Sequence, residues 1–241
     1  MKRGLKFKIA MVIGGIALAL VLVLVSPIFH VREVVVLGNH RVCETDIKAR
    51  LNIAGNSNIF LINWGNARRA ILGNLHIEDV SFSRELPGRL YVSIQERRLS
   101  AYVEHEPGSF LFLDENGRVL EIRNYITELL PRLDGLQFTR FQLGEILEVS
   151  DEINFINIMQ YTQLLTLHGL INQITHINVS DPANIRILVN YLEFHVGGIQ
   201  DADAKVRTIA EKLYRLPNAH IIRGFVDIRE IRSEYFLVLL Q

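Results

Sequence analysis

The chain of 241 residues contains one cysteine, Cys43, so no disulfide can form within it and no cysteine cluster can hold zinc. Neither sign of charge is in excess, because 26 Lys and Arg stand against 26 Asp and Glu. An electrostatic grip on nucleic acid or on anionic lipid is therefore not expected. No Gly-x-Ser-x-Gly elbow and no Gly-x-x-x-x-Gly-Lys phosphate loop occurs, and Gly197-Gly198 reads as a turn. None of the eight histidines pairs with another at the i,i+4 spacing of a helical zinc site. Glu104-His105-Glu106 alone places a histidine between carboxylates, and it reads as a solvated turn before Pro107-Gly108. Asp114-Glu115 and Asp151-Glu152 are the kind of acidic pair found at turns and helix starts, which makes them weak candidates for a glycosidase pair. Repeats and low-complexity tracts are absent. The expectation is a protein with no catalytic, metal or cofactor residue.

What is present is one long apolar run. Ile9 to Val25 contains no polar side chain, follows Lys2, Arg3, Lys6 and Lys8, and continues through Ser26, Pro27, Ile28 and Phe29. Residues 9–29 are about long enough to cross a bilayer as one helix, and the preceding cations keep residues 1–8 in the cytoplasm. The alternative is a cleaved secretory signal. Against it, the apolar core exceeds the roughly 7–15 residues usual for a signal, and Leu24-Val25-Ser26-Pro27 offers no small-residue cleavage pair. The reading is a retained single-pass anchor in the cell membrane, with Ile9 and Val25 bounding it. Gly14, Gly15 and Ala19 would let another helix approach, although lipid-facing packing explains small residues there as well. With the four N-terminal cations set aside, 22 basic residues face 26 acidic ones in the extracytoplasmic part.

That part divides into two modules. In residues 30–98 the pattern predicts a strand over Val31–Asn39, a helix opened by Glu44 or Thr45 and running to Leu51, and a second helix with Ala67, Ala70, Ile71 and Leu75 on one face. Strands follow at Ile77–Ser83 and Arg89–Gln95, joined at Pro87-Gly88. The order β-α-α-β-β makes a small α+β unit. Residues 99–241 open with a hairpin, Phe110–Glu121, whose Asn116-Gly117 suits a tight primed turn. Leu130-Pro131 to Asp134-Gly135 reads as a turn-rich break. Ser150 or Asp151 caps a helix carrying Ile153, Ile156, Tyr161, Leu164 and Leu165 and ended by Gly169. Strand-like segments at Ile174–Val179 and Ile185–Val196 precede a helix striped by Ala202, Val206, Ile209, Ala210 and Leu213 and stopped by Pro217. Segments Gly224–Arg229 and Tyr235–Leu240 finish the chain. The fold class is α+β, with an extended antiparallel sheet in the larger module.

These pieces resemble one family in order. Phe29-His-Val-Arg-Glu-Val-Val-Val-Leu-Gly-Asn39 behind a basic tail and one span is similar to the start of FtsQ/DivIB-type bacterial cell-division proteins. Arg84-Glu-Leu-Pro-Gly-Arg-Leu-Tyr-Val-Ser-Ile-Gln-Glu-Arg97 resembles the strand pair that closes that family's POTRA domain. Phe112-Leu-Asp-Glu-Asn-Gly-Arg-Val-Leu120, Leu130-Pro-Arg-Leu-Asp-Gly135 and Val226-Asp-Ile-Arg229 are similar to its later hairpin, its following step and its late strand. One departure is Glu230, where the family often carries an aromatic residue.

The resemblance implies a non-enzymatic scaffold at the division septum, with single-span partners of the FtsL and FtsB/DivIC kind and no cofactor. It also implies a partner surface at the C-terminus, comprising Arg229, Glu230, Tyr235, Phe236, Leu237, Val238 and Leu239. Tyr235 to Leu240 is apolar without alternation, which fits an unpaired sheet edge or a strand covered on both faces. Residues 30–98 would supply a second contact surface, through a strand edge or the helix beside it. A different class of reading, an exported enzyme or ligand-binding domain acting on wall material, predicts a concave polar pocket instead.

Overall fold

The computed structural model describes residues 2–53, 55–215, 223–230 and 237–239, and within the first helix it leaves out the side chains of residues 2–10, 17 and 20. The chain divides into two compact units, Met1–Arg97 and Arg98–Gln241.

The first unit begins with α1 (Lys2–Val25), a helix of 24 residues. Among the described residues no helix is long and apolar enough to cross a membrane. After one turn of 3-10 helix at Pro27–Phe29 come β1 (Glu33–Leu37), α2 (Glu44–Leu51), α3 (Trp64–Leu72), β2 (Ile77–Glu85) and β3 (Arg89–Glu96). The sheet order is β1-β3-β2, with β1 parallel and β2 antiparallel to β3. Parallel neighbours need a crossover, and the two helices between β1 and β2 provide it. Alternation along β3 buries Leu90, Val92 and Ile94, which pack with Ile47, Leu51, Ala67 and Ile71 of the helices. The expected face of α3 is partly corrected. Ala70 and Leu75 are exposed, while Trp64 and Leu72 pack at the margin of the core.

The second unit is built on one large sheet, a small two-stranded one and two long helices. Its strands in chain order are β4 (Leu99–Glu106), β5 (Ser109–Asp114), β6 (Val119–Arg123), β7 (Arg132–Asp134), β8 (Phe138–Arg140), β9 (Glu148–Val149), β10 (His176–Asn178), β11 (Ile185–Val189), β12 (Leu192–Gly197), β13 (Gly224–Asp227) and β14 (Leu237–Leu239). Helix α4 (Glu152–Leu167) precedes β10, and α5 (Ala202–Arg215) lies between β12 and β13. The large sheet runs β14-β13-β12-β11-β10-β7-β4-β5-β6, and β8 pairs with β9 apart from it.

The large sheet is mixed, which corrects the antiparallel expectation. β12 and β13, β7 and β10, and β4 and β7 are parallel neighbours. The first two pairs are connected through α5 and α4, long enough to return the chain to the same end of the sheet. β7 itself stands where a turn was expected. Its three residues sit mid-sheet, and Gly135 ends it at φ +82°, where a Cβ would lie 2.0 Å from Ser180 Oγ. The segment Ile185–Val196 is a hairpin of two strands rather than one, turned at Asn190 with φ +54°.

The hairpin of β5 and β6 is real, but its turn is not the primed two-residue type. Only Gly117 takes a positive φ, +77°, and Asn116 does not. The Asp114 carboxylate accepts the N–H groups of Asn116 and Arg118 at 2.8 and 2.9 Å, so it holds a wider loop. Helix α4 is capped by Asp151, whose carboxylate accepts the Asn154 N–H at 3.0 Å. Its inward face is Phe155, Ile158, Met159, Tyr161, Thr162 and Leu165. Ile153 and Ile156, expected in the core, point to solvent.

One face of the large sheet, with Ile187, Leu192, Phe194, Val196 and Val226, forms a single core with apolar residues of α4 and with Val206 and Ile209 of α5. The opposite residues along the same strands, Arg186, Glu193, His195 and Asp227, are polar and at least partly exposed.

Candidate functional site

The residues weighed for catalysis make contacts within the fold. Glu104 bonds Arg132 at 2.6 Å and accepts the Gly108 N–H at 3.2 Å, and His105 lies edge-on to Phe141 with ring centres 4.5 Å apart. Asp114 holds the hairpin loop and Asp151 caps a helix, so neither acidic pair converges on a shared space. Among the described residues no group of three or more His, Cys, Asp or Glu side chains is placed to hold a metal ion.

The C-terminal strand lies at the end of the large sheet. β14 is the outermost strand of nine and has β13 as its neighbour. Leu237 reaches the core, whereas Val238 and Leu239 are 45 % and 66 % exposed. Among the described residues no strand lies on the side of β14 away from β13. β13 approaches β14 closely because residue 224 is glycine: a Cβ there would lie 2.4 Å from the Val238 carbonyl oxygen. Phe225 faces Val238 across the pair and stacks on His195 at 4.9 Å, so an aromatic surface adjoins the edge.

Arg229 lies in the bend after β13. Its guanidinium makes a paired contact with Asp227, Nε to Oδ1 at 3.0 Å and Nη2 to Oδ2 at 2.5 Å. That contact lowers the Asp227 carboxyl below the usual range and keeps Arg229 firmly protonated. Glu230 is exposed beside it. Leu237, Val238 and Leu239 are thus brought together on one strand, with Arg229 and Glu230 at the far end of its neighbour. Tyr235 and Phe236 lie outside the described residues, as does Pro217. Phe225, His195 and the exposed Tyr191 at the tip of the β11–β12 hairpin were not singled out from sequence. The alternation Gly224-Phe225-Val226-Asp227 carried the signal for Phe225, since Val226 is the inward residue.

In the first unit, β2 is one of the two outer strands of its sheet and α3 lies beside it. Between them is an open groove of about 640 Å³ lined by Trp64, Arg68, Asp79, Phe82 and Arg84. Trp64 and Phe82 pack at 5.1 Å, and the Arg84 guanidinium sits 4.8 Å above the Trp64 ring. Arg68 bridges the Val80 carbonyl at 2.6 Å and the Asp79 carboxylate at 2.5 Å. The Val80 N–H, followed by Arg68, lowers the Asp79 carboxyl. The groove thus has an aromatic floor beside an outer strand.

The residues expected to form an anchor all lie on α1. Gly14 and Gly15 have open space where a Cβ would stand, and Ala19 and Val25 are exposed; the Ile9 side chain lies outside the described set. The Leu24 carbonyl at the end of α1 accepts the buried Asn58 amide at 2.8 Å.

Comparison with known proteins gives one consistent result. Residues 29–97 match the family described as "POTRA domain, FtsQ-type". The chain is 27 % identical over 181 residues to the cell division protein DivIB of Clostridium tetani, covering 75 % of this chain and 68 % of that protein. It is 25 % identical over 228 residues to DivIB of Clostridium botulinum strain Loch Maree, covering 94 % and 89 %. DivIB of Listeria monocytogenes is 22 % identical over 241 residues, covering 98 % and 83 %.

Proposed function

We propose that this chain, which is a cell-division protein of the FtsQ/DivIB type, is a membrane-anchored scaffold that catalyses no reaction and recruits single-span partners of the FtsL and FtsB/DivIC kind to the septum. The observation that carries the reading is the edge of β14, where Val238 and Leu239 are exposed and, among the described residues, no further strand follows. A partner strand added there would satisfy the free backbone groups and cover both side chains. The β2–α3 groove is the second contact surface in this reading.

The anchor belongs to the same proposal. The stretch from residue 9 to 29 is, by its sequence, about long enough to cross a bilayer core as one helix. Its described side chains from Met11 to Val25 are apolar or glycine, and most are more than half exposed. The cations at positions 2, 3, 6 and 8 keep the N-terminus cytoplasmic, with residues 30–98 and 99–241 as two extracytoplasmic domains.

The test is recovery of partners with the full-length protein from its native membranes in mild detergent, identified by mass spectrometry. Wild type should bring down small single-span proteins, and Val238→Glu should lose them with the circular dichroism unchanged. Undiminished recovery by Val238→Glu would remove the β14 edge as the contact. A wild-type catch of wall fragments alone would count against the scaffold.

A further inference from the structure

Among the described residues of the first unit after α1, Leu61 is the most exposed large apolar side chain, at 70 %. It lies in the loop before α3, and that loop is tied to the chain where it leaves α1. The Asn58 amide donates to the Leu24 carbonyl at 2.8 Å, and the Phe29 carbonyl accepts the Ile59 N–H at 2.9 Å. The Phe29 and Phe60 rings meet edge-on with centres 5.2 Å apart. The turn between β2 and β3 is held against the same stretch. The Gly88 carbonyl accepts the Arg32 N–H at 2.8 Å, and a Cβ at Gly88 would lie 2.3 Å from the His30 carbonyl oxygen. Leu86 in that turn is 56 % exposed, and Ile28 in the stretch itself is 58 % exposed. Three separate segments thus each present an apolar side chain to solvent at the end of the unit where α1 departs.

We propose, on the reading of α1 as a membrane anchor, that Ile28, Leu61 and Leu86 enter the outer surface of the bilayer that α1 crosses. The first unit then rests on lipid and does not swing freely from its anchor. A bilayer surface meets this end of the unit without being recruited, because the Leu24 carbonyl to which Asn58 is bonded belongs to the anchor's last turn. The other exposed large apolar residues of the unit, Leu37 and Leu75, are less bare. They lie toward the opposite end of the sheet, where β1 and β3 finish and β2 begins. Single apolar side chains scattered over a surface need no explanation, but their gathering at the membrane exit does.

The contact is shallow. Turn backbone carries N–H and C=O groups that hydrocarbon cannot satisfy, so only the side chains pass below the headgroups. Charge at this end does not oppose it. Glu33 and Glu85 are both paired with Arg89, at 2.7 and 3.1 Å, and Arg32 and Arg84 are exposed nearby, so no excess of negative charge repels an anionic lipid surface.

Quenching of a fluorescent label by lipid-borne nitroxide decides the matter, with the full-length protein in vesicles of phosphatidylcholine and phosphatidylglycerol. Cys43→Ser removes the exposed native thiol, which makes no side-chain cap bond to α2. In that background Leu61→Cys, Leu86→Cys, Leu37→Cys and Val21→Cys each carry the same dye. Positions 61, 86 and 37 are all exposed, so these changes leave the core untouched. The labels at 61 and 86 should be quenched at least about fivefold more than the label at 37, because the nitroxide is confined to the bilayer. Val21, within α1, reports on the anchor separately. Quenching at 21, with 61 and 86 no better quenched than 37, would overturn the lipid contact and leave the anchor standing. An unquenched label at 21 would overturn the anchor and the contact with it. Labels at 61 and 86 shielded from aqueous iodide in native membranes, but not in the vesicles, would assign this surface to a partner protein and overturn the proposal.

Discussion

The carboxylate of Glu96, the last residue of β3, accepts the backbone N–H of Val42 at 2.9 Å across 54 residues of chain. The same side chain accepts the N–H groups of His40 and Arg41 at 2.9 Å each, so one acid ties down the loop between β1 and α2. This gives Glu96 a physical role in closing the first unit. Glu96→Ala should destabilise the first unit by about 1–2 kcal/mol, the range for hydrogen bonds to a charged group with some solvent screening. The lone tryptophan, Trp64, lies in that unit, so its fluorescence during urea unfolding reads the effect.

The same residue sets a pH dependence. Burial pushes the Glu96 carboxyl up, but the N–H groups of Arg41, Val42 and His40 outweigh it and leave the group below its ordinary value. The stabilisation is complete above the unfolded value of about 4.3 and is lost as pH falls through the lower folded value. The difference between wild type and Glu96→Ala should therefore shrink on acidification below about pH 4. A difference that stays constant well into the acid range would show that the carboxylate charge is not what holds the loop.

Gly117→Ala tests the hairpin loop of β5 and β6. Position 117 has φ +77°, and a Cβ would lie 2.3 Å from Cζ of the buried Phe155. Backbone strain and overpacking together should cost about 2–4 kcal/mol. Thermal unfolding by circular dichroism should show an early transition for the second unit, with the Trp64 transition unmoved.

Gly224→Val tests the β14 edge from its inner side. With 2.4 Å between a Cβ at 224 and the Val238 carbonyl oxygen, the β13–β14 pair cannot keep its register. Partner recovery should fall as far as it does with Val238→Glu, and the rest of the domain should stay folded. Full recovery with Gly224→Val would show that β14 need not be paired with β13 for binding.

Lys205 is 2 % exposed, and its ammonium donates to the Gly198 carbonyl at 3.1 Å, which also accepts the Tyr161 hydroxyl at 2.8 Å. Burial lowers its pKa. Because the unfolded lysine binds its proton up to about pH 10.4, wild-type stability gains as pH rises through the folded value toward that limit. Lys205→Met should be nearly neutral at about pH 7, within about 1 kcal/mol, since it removes a buried charge while Tyr161 still satisfies Gly198. It should also lack the alkaline gain, which chemical denaturation at about pH 8 and about pH 10 would read.

Much of the first unit is legible because β3 alternates cleanly, and period two assigns Leu90, Val92 and Ile94 to the core without further information. Helix α4 misleads for the opposite reason. Apolar residues stand on both its inward and outward faces, so periodicity carries little phase, and Ile153 and Ile156 read as inward when Phe155 and Ile158 occupy that face. The Asn116-Gly117 dipeptide suggests a primed turn, but the Asp114 carboxylate captures two N–H groups and selects a different loop. β7 escapes notice because three residues between Pro131 and Gly135 are too few to show a pattern.

By itself the sequence determined what depends on neighbours along the chain. That covers the apolar run at the N-terminus, the β-α-α-β-β order, the helix caps and the unalternated strand at the C-terminus. Tertiary structure alone decided which strands adjoin, because pairing depends on where crossovers through α4 and α5 return the chain. It put β14 outermost among the described strands of its sheet. It also joined Trp64 to Phe82 and Arg84, side chains distant in sequence that share a groove only once α3 packs beside β2.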